Sequence, residues 1–211
     1  SVPVRDRIHS YEEVRQLIEN SGYLALANCA CRVSVAKCDK PKEVCLIFDG
    51  MGEFLVERGF ARKISKEEGL PVLDLAEAEG LVHTSNNSAD KANVICNCCP
   101  CCCTILRGRT QLNHPHASEL SRFVAFVKPD ECLACAVCMT DRCPMQAIEL
   151  RGMIAFVHEE QCIGCGLCVS TCPGGAMSLI ERKQTPSVPK TTQDMAVTVL
   201  QEKGRLEAFL K

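Results

Sequence analysis

Six of the eight residues from Cys96 to Cys103, in the run "CNCCPCCC", are cysteine, and twelve more are spread over the rest of the 211-residue chain. Neighbours such as Cys98-Cys99 and Cys101-Cys102-Cys103 make poor disulfide geometry, whereas thiolates crowd readily around a soft metal. The chemistry these residues offer is therefore ligation of soft, redox-capable metal. Machinery for organic catalysis is not evident: no nucleophile–base pair stands out, and the glycine pieces "DGMGE" and "RGR" lack the strand–loop–helix setting of a nucleotide site.

The remaining cysteines follow a stricter order. "VAFVKPDECLACAVCMTDRCPMQAIEL" from Val124 is echoed by "IAFVHEEQCIGCGLCVSTCPGGAMSLI" from Ile154. Cys132, Cys135 and Cys138 match Cys162, Cys165 and Cys168, and Cys143-Pro144 matches Cys172-Pro173. Each unit reads as strand, cysteine loop, short helix, strand. A unit this short cannot bury its own apolar face, so the two should pack together about a pseudo-twofold axis. Phe126, Val127, Ile148, Phe156, Val157 and Leu179 are the expected apolar members of that core.

The doubled C-x2-C-x2-C spacing followed by C-P resembles bacterial-type ferredoxins with two [4Fe-4S] clusters, over residues of about 122–182. In that family the fourth cysteine of each motif crosses to the other cluster. The resemblance thus implies one cluster on Cys132, Cys135, Cys138 and Cys172, and a second on Cys143, Cys162, Cys165 and Cys168. Small residues at Ala134, Ala136, Gly164 and Gly166 would let backbone amides approach the cluster sulfurs. A pair of zinc ribbons is the competing reading, but these offer paired rather than tripled C-x2-C. The first motif carries four residues, "MTDR", between Cys138 and Cys143, where the second has three, "VST". This is either a harmless insertion or a feature beside the second cluster.

The amino-terminal half must position the other ten cysteines. Capping boxes at Ser10/Glu13 and Ser65/Glu68 open helices that end at Gly22 and Gly80. "YLALANCAC", "VCLIFDG" and "ANVICNC" read as strands, and Glu53 to Ala61 as a helix packed on them. The expected working cage for a third cluster is Cys29, Cys31, Cys38 and Cys45, with one member open to displacement by Cys96, Cys98 or Cys99. Alternation on a strand points Cys96 and Cys98 to the same face. Zinc is the main alternative there, core filling by one or two thiols is expected, and a redox-active pair in the dense run is a further reading. "CACR" and "CNCCPCCC" ahead of a ferredoxin repeat resemble Cys-rich domains in iron–sulfur proteins of strict anaerobes, a likeness that assigns no ligands. His83 can ligate, donate or cap. Arg32 can bond a thiolate or face solvent. His114 and His116 are weak metal candidates.

The fold class that follows is α+β. Residues 1–117 form a separate Cys-rich α+β domain, 118–183 the ferredoxin-like repeat, and 184–211 a spacer and a docking tail with apolar residues at Met195, Val199, Leu206 and Leu210. The polar stretch 108–121 reads as the linker. Net charge is −2, with no basic field and no Trp, which argues against nucleic acid. No apolar run reaches the roughly 18 residues of a membrane span, and the first residues show no export signal. A cytoplasmic, anaerobic setting is expected. Each four-thiolate cluster adds −2, taking the charge to about −6 with two clusters and about −8 with three, modest for a freely diffusing carrier. The leading expectation is one-electron transfer as the subunit or dedicated ferredoxin of an oxidoreductase, partnered by a redox protein or larger subunit. A redox enzyme with a catalytic amino-terminal cluster and an iron or redox sensor are the alternatives.

Overall fold

The computed structural model describes residues 7–85, 92–112, 114, 120–183 and 191–210. The amino-terminal part comprises β1 (Arg7–His9), α1 (Tyr11–Asn20), β2 (Leu24–Asn28), α2 (Ala30–Val35), β3 (Glu43–Phe48), α3 (Asp49–Glu57), β4 (Ala61–Ile64), α4 (Lys66–Ala78), β5 (Val82–Ser85), β6 (Val94–Cys98) and α5 (Thr104–Thr110). Six strands form one antiparallel sheet in the order β1-β5-β6-β3-β2-β4. Both expected capping boxes are present, closing the first turns of α1 and α4.

Period-two alternation divides the sheet cleanly. Leu24, Leu26, Leu46, Phe48, Ile64 and Ile95 face α1 and α4, where Val14, Ile18 and Leu73 complete a core. Ala25, Cys45 and Ile47 belong to a second cluster, with Val94 and Cys96 packed against it and Leu55 and Val56 of α3 covering it. The pleat thus sends the strand cysteines to the face opposite the larger core.

Several expected elements shift. The sequence "YLALANCAC" is not strand throughout: a bulge at Ala27/Asn28 ends β2, and Cys29 becomes the N-cap of α2. The helix expected from Glu53 begins at Asp49 and stops at Glu57, because the chain must turn back at Gly59 (φ 72°) to add β4 beside β2. The linker expected over 108–121 begins inside α5. Residues 113 and 115–119, including His116, lie outside the described set, as does the spacer at 184–190.

In the carboxy-terminal part, β7 (Phe123–Val127) pairs antiparallel with β10 (Met177–Glu181), and β8 (Ile148–Arg151) with β9 (Ile154–Val157). Each two-stranded sheet therefore takes one strand from each sequence unit. The described residues are mixed helix and antiparallel strand, consistent with α+β. Ile148 is buried in the core between these sheets, and Val127, Val157 and Leu179 pack against it as expected, but the two phenylalanines do not. Phe126 and Phe156 are exposed, and the interior holds Val124, Ala125, Ala147, Ile148, Ala155 and Met177 with buried cysteines. Small residues face inward because the space beside them is taken by thiols. Phe156 lies instead beneath the Arg151 guanidinium, 3.4 Å from the ring centroid.

The extra residue of the first motif appears as a single wide π turn, Cys138–Arg142, a common way to absorb one inserted residue. It delivers Arg142 into a buried position where it reaches the last carbonyls of α4. Finally, α6 (Thr192–Glu202) and α7 (Leu206–Phe209) follow at the carboxy end, interrupted at Gly204 (φ 61°).

Candidate cluster and metal sites

Two hollows flank the small carboxy-terminal sheets. One is lined by Cys132, Cys135, Cys138 and Cys172, together with Ala134, Ala136 and Pro173. The other is lined by Cys143, Cys162, Cys165 and Cys168, with Gly166 and Ile148. Each brings three cysteines of one motif together with the last cysteine of the other.

The loops that build the hollows have the same local cause in both units. Ala134 and Ala136 have φ of 51° and 62°, and Gly164 and Gly166 have 73° and 81°. Left-handed residues on either side of Cys135 and of Cys165 curve each loop tightly around its hollow. Gly164 is also sterically required, since a Cβ there would fall 2.1 Å from the Phe123 carbonyl oxygen. Two backbone amides reach thiols: Ala147 N–H donates to Cys143 Sγ (3.2 Å) and Ala155 N–H to Cys132 Sγ (3.4 Å).

Burial pushes the thiol of Cys165 up to about 12 and raises those of Cys138, Cys143 and Cys168. Such groups stay protonated unless a cation replaces the proton, which is the behaviour of a preformed metal cage. Four thiols around an apolar, water-poor hollow fit an iron–sulfur cluster and offer nothing to a hard, oxygen-seeking ion.

The amino-terminal cysteines divide differently from the sequence expectation. Cys29, Cys31, Cys38 and Cys45 are not gathered as one set. Cys38 lies with the dense run instead, its Sγ 3.8 Å from both Cys99 and Cys102, and the thiols of Cys38, Cys99, Cys101 and Cys102 all lie within 4.8 Å of one another. Cys29 and Cys45 remain together, and Cys31 and Cys96 pack against them. Cys45 stands between Cys29 and Cys96, within hydrogen-bonding reach of both. These bonds, with Cys98 adding a second to Cys96, hold Cys29 at about 6 and Cys96 at about 4, and push Cys45 upward. Cys96 and Cys98 do share a side of β6, and Cys98 in turn reaches Cys103.

Other sequence candidates have structural roles. His83 is fully buried, paired through Nδ1 with Asn97 Oδ1 (2.5 Å) and through Nε2 with Glu77 (3.1 Å), and touches no thiol hollow. Arg32 is also fully buried, donating to the carbonyls of Pro41 and Asn97 (2.9 Å for the latter) and lying against Cys99. The backbone N–H of His114 donates to Gly108 O (2.8 Å).

The most informative residue that motif reading missed is Arg142. Its Nε donates to Leu167 O (3.0 Å), and its two Nη groups donate to Ala78 O (3.0 Å) and Glu77 O (2.7 Å) at the end of α4. Ser170 donates to the Glu77 carboxylate from the same side. An apolar cluster of Ile8, Val82, Cys98, Cys103, Leu106, Ile163 and Leu167 joins the two parts, with Cys165 at its margin. The sequence signal for Arg142 was the extra residue between Cys138 and Cys143.

The family model described as a 4Fe-4S dicluster domain matches residues 125–180, a little over a quarter of the chain. No curated protein matches the sequence. No described helix is long and apolar enough to cross a membrane.

Proposed function

We propose that this protein passes electrons one at a time through at least two [4Fe-4S] clusters, as the electron-transfer subunit or dedicated ferredoxin of an anaerobic oxidoreductase. Cys132, Cys135, Cys138 and Cys172 hold one cluster, and Cys143, Cys162, Cys165 and Cys168 the other. The observation that carries this reading is the pair of hollows, each lined by three cysteines of one motif and the fourth of its twin. The match of residues 125–180 to the dicluster family supports it.

A bound cluster supplies reversible one-electron chemistry at a potential tuned by its surroundings. The chain's own contribution is positional. The left-handed loop residues curve the chain around each hollow, the amides of Ala147 and Ala155 donate to Cys143 and Cys132, and buried Ile148, Ala125 and Met177 keep water away. Cys135 is exposed and neighbours Leu133, which is also exposed. The first hollow is therefore the side at which a redox partner docks. The second faces inward, where Cys165 borders the apolar cluster containing Cys98 and Cys103.

That route continues to a third cage in the amino-terminal part, drawn from Cys29, Cys31, Cys45 and Cys96. Their packing in one cluster, and the contacts of Cys45 with Cys29 and Cys96, support the set. With three cages, anoxically purified protein contains about twelve irons per chain, at four per cubane. Eight would remove the third cage. The ligand assignment is tested by Cys143→Ala, which abolishes the signal of the cluster on Cys162, Cys165 and Cys168. A Cys143→Ala variant that loses the Cys132 cluster instead refutes the crossover.

A further inference from the structure

We propose that Cys38, Cys99, Cys101 and Cys102 bind a single zinc ion in a tetrahedral four-thiolate site, separate from every iron–sulfur cage. The spacing of the sulfurs carries the argument. All four lie within 4.8 Å of one another, and the Cys38–Cys99 and Cys38–Cys102 separations are both 3.8 Å. Four sulfurs at the usual Zn–S length of about 2.3 Å from one ion stand about 3.8 Å apart along the tetrahedron's edges. In a cubane each thiolate binds a different iron and points outward from its own corner. Its four sulfurs must straddle the whole core, a wider set than this one.

The surroundings suit a redox-inert, structural ion. Val44, Ala76 and Leu81 wall the site and are fully buried. Backbone N–H groups of Lys37 and Cys102 donate to the sulfurs of Cys102 and Cys99. Binding is balanced as Zn2+ plus four thiols giving a tetrathiolate of charge −2 and four protons, released to solvent. Arg32, fully buried against Cys99, offsets part of that charge. The ion ties the loop after α2 to the turn after β6, between residues 61 positions apart in sequence.

This division explains the density of "CNCCPCCC". The cysteines of the run divide between two clusters: Cys99, Cys101 and Cys102 belong to the zinc site, while Cys96, Cys98 and Cys103 pack together elsewhere. Pro100 opens the turn between Cys99 and Cys101, two members of the zinc set.

The test uses the full chain purified without oxygen. Zinc X-ray absorption on the wild-type protein should show about one zinc per chain, surrounded by four sulfurs at about 2.3 Å. In Cys38→Ala and Cys102→Ala the zinc should be lost while iron per chain and the reduced-cluster electron paramagnetic resonance spectrum stay unchanged. Loss of about four irons in either variant would show that these residues cage a cluster, and overturns the proposal. One iron in place of zinc, or zinc with nitrogen or oxygen ligands, also overturns it. Because the absorption measurement needs no variant, a misfolded substitution leaves the question decidable. The outcome is independent of the cluster assignments above, which concern other cysteines.

Discussion

Replacing Arg142 with Ala removes the clamp between the carboxy-terminal part and α4. The guanidinium is 8% exposed and makes four hydrogen bonds, to Leu167 O, Ala78 O, Glu77 O and Ser170 Oγ, plus an ion pair with Glu77 at 3.6 Å. Two of the acceptors are terminal helix carbonyls, where a cation also meets the negative end of the helix dipole. Truncating one partner of a buried, hydrogen-bonded charge pair costs about 3–5 kcal/mol. At tenfold per 1.4 kcal/mol, that is roughly a hundredfold to a few thousandfold rise in local opening. Native-state hydrogen exchange under anoxic conditions reads this directly, at the amides closing α4 and at those of 167–171. Arg142→Lys keeps the charge but cannot span Leu167 and α4 at once, so it should fall between the two. An Ala variant whose exchange rises less than tenfold, or a Lys variant equal to wild type, would refute the clamp.

Gly164→Ala should cost more than about 3 kcal/mol, since φ of 73° is unfavourable for a side chain and the new Cβ meets Phe123 O at 2.1 Å; a thermal midpoint within about 2 °C of wild type contradicts this. Glu77 is pushed up by burial, but hydrogen bonds from His83 and Ser170 and the charges of His83 and Arg142 outweigh it and hold the carboxyl below its ordinary 4.5. A depressed acid stabilises the fold above its ordinary value and loses that contribution as pH falls through the folded one. Protection factors around Ser170, which correct for the intrinsic slowing of exchange in acid, should therefore fall on acidification below about 4.5 in wild type, and Glu77→Gln should flatten that dependence. Removing iron with a chelator should unfold residues 122–182, whose small core is built largely around thiols; an apo form with native exchange protection in β7 and β10 would contradict it.

What the sequence disclosed was local. Both capping boxes, the strands at 43–48 and 94–98, and the inward pairing of Cys96 and Cys98 follow from neighbouring residues and a period of two. Strand β4 escaped notice because "ARKI" is four residues long and half charged, held by its register with β2 rather than by its own propensity. Phe126 and Phe156 were misplaced because large apolar residues usually seek a core, yet here the interior is reserved for thiols. The regrouping of Cys38 depends on the loop between α2 and β3 meeting the turn after β6, a contact between residues 61 positions apart that no local spacing encodes.

The exchange of strands between the two sequence units also governs the order in which the protein can be made. Phe123 pairs with Glu181, and the first hollow, begun by Cys132, Cys135 and Cys138, is closed by Cys172. From Cys138 to Cys172 is 34 residues, about 2–7 s of translation at 5–20 residues per second. Throughout that interval the nascent chain presents three thiols of an incomplete ring, and β7 waits without its partner. Assembly must therefore follow synthesis rather than accompany it, and a ribosome stalled in this window leaves an open, sticky intermediate for chaperones to hold.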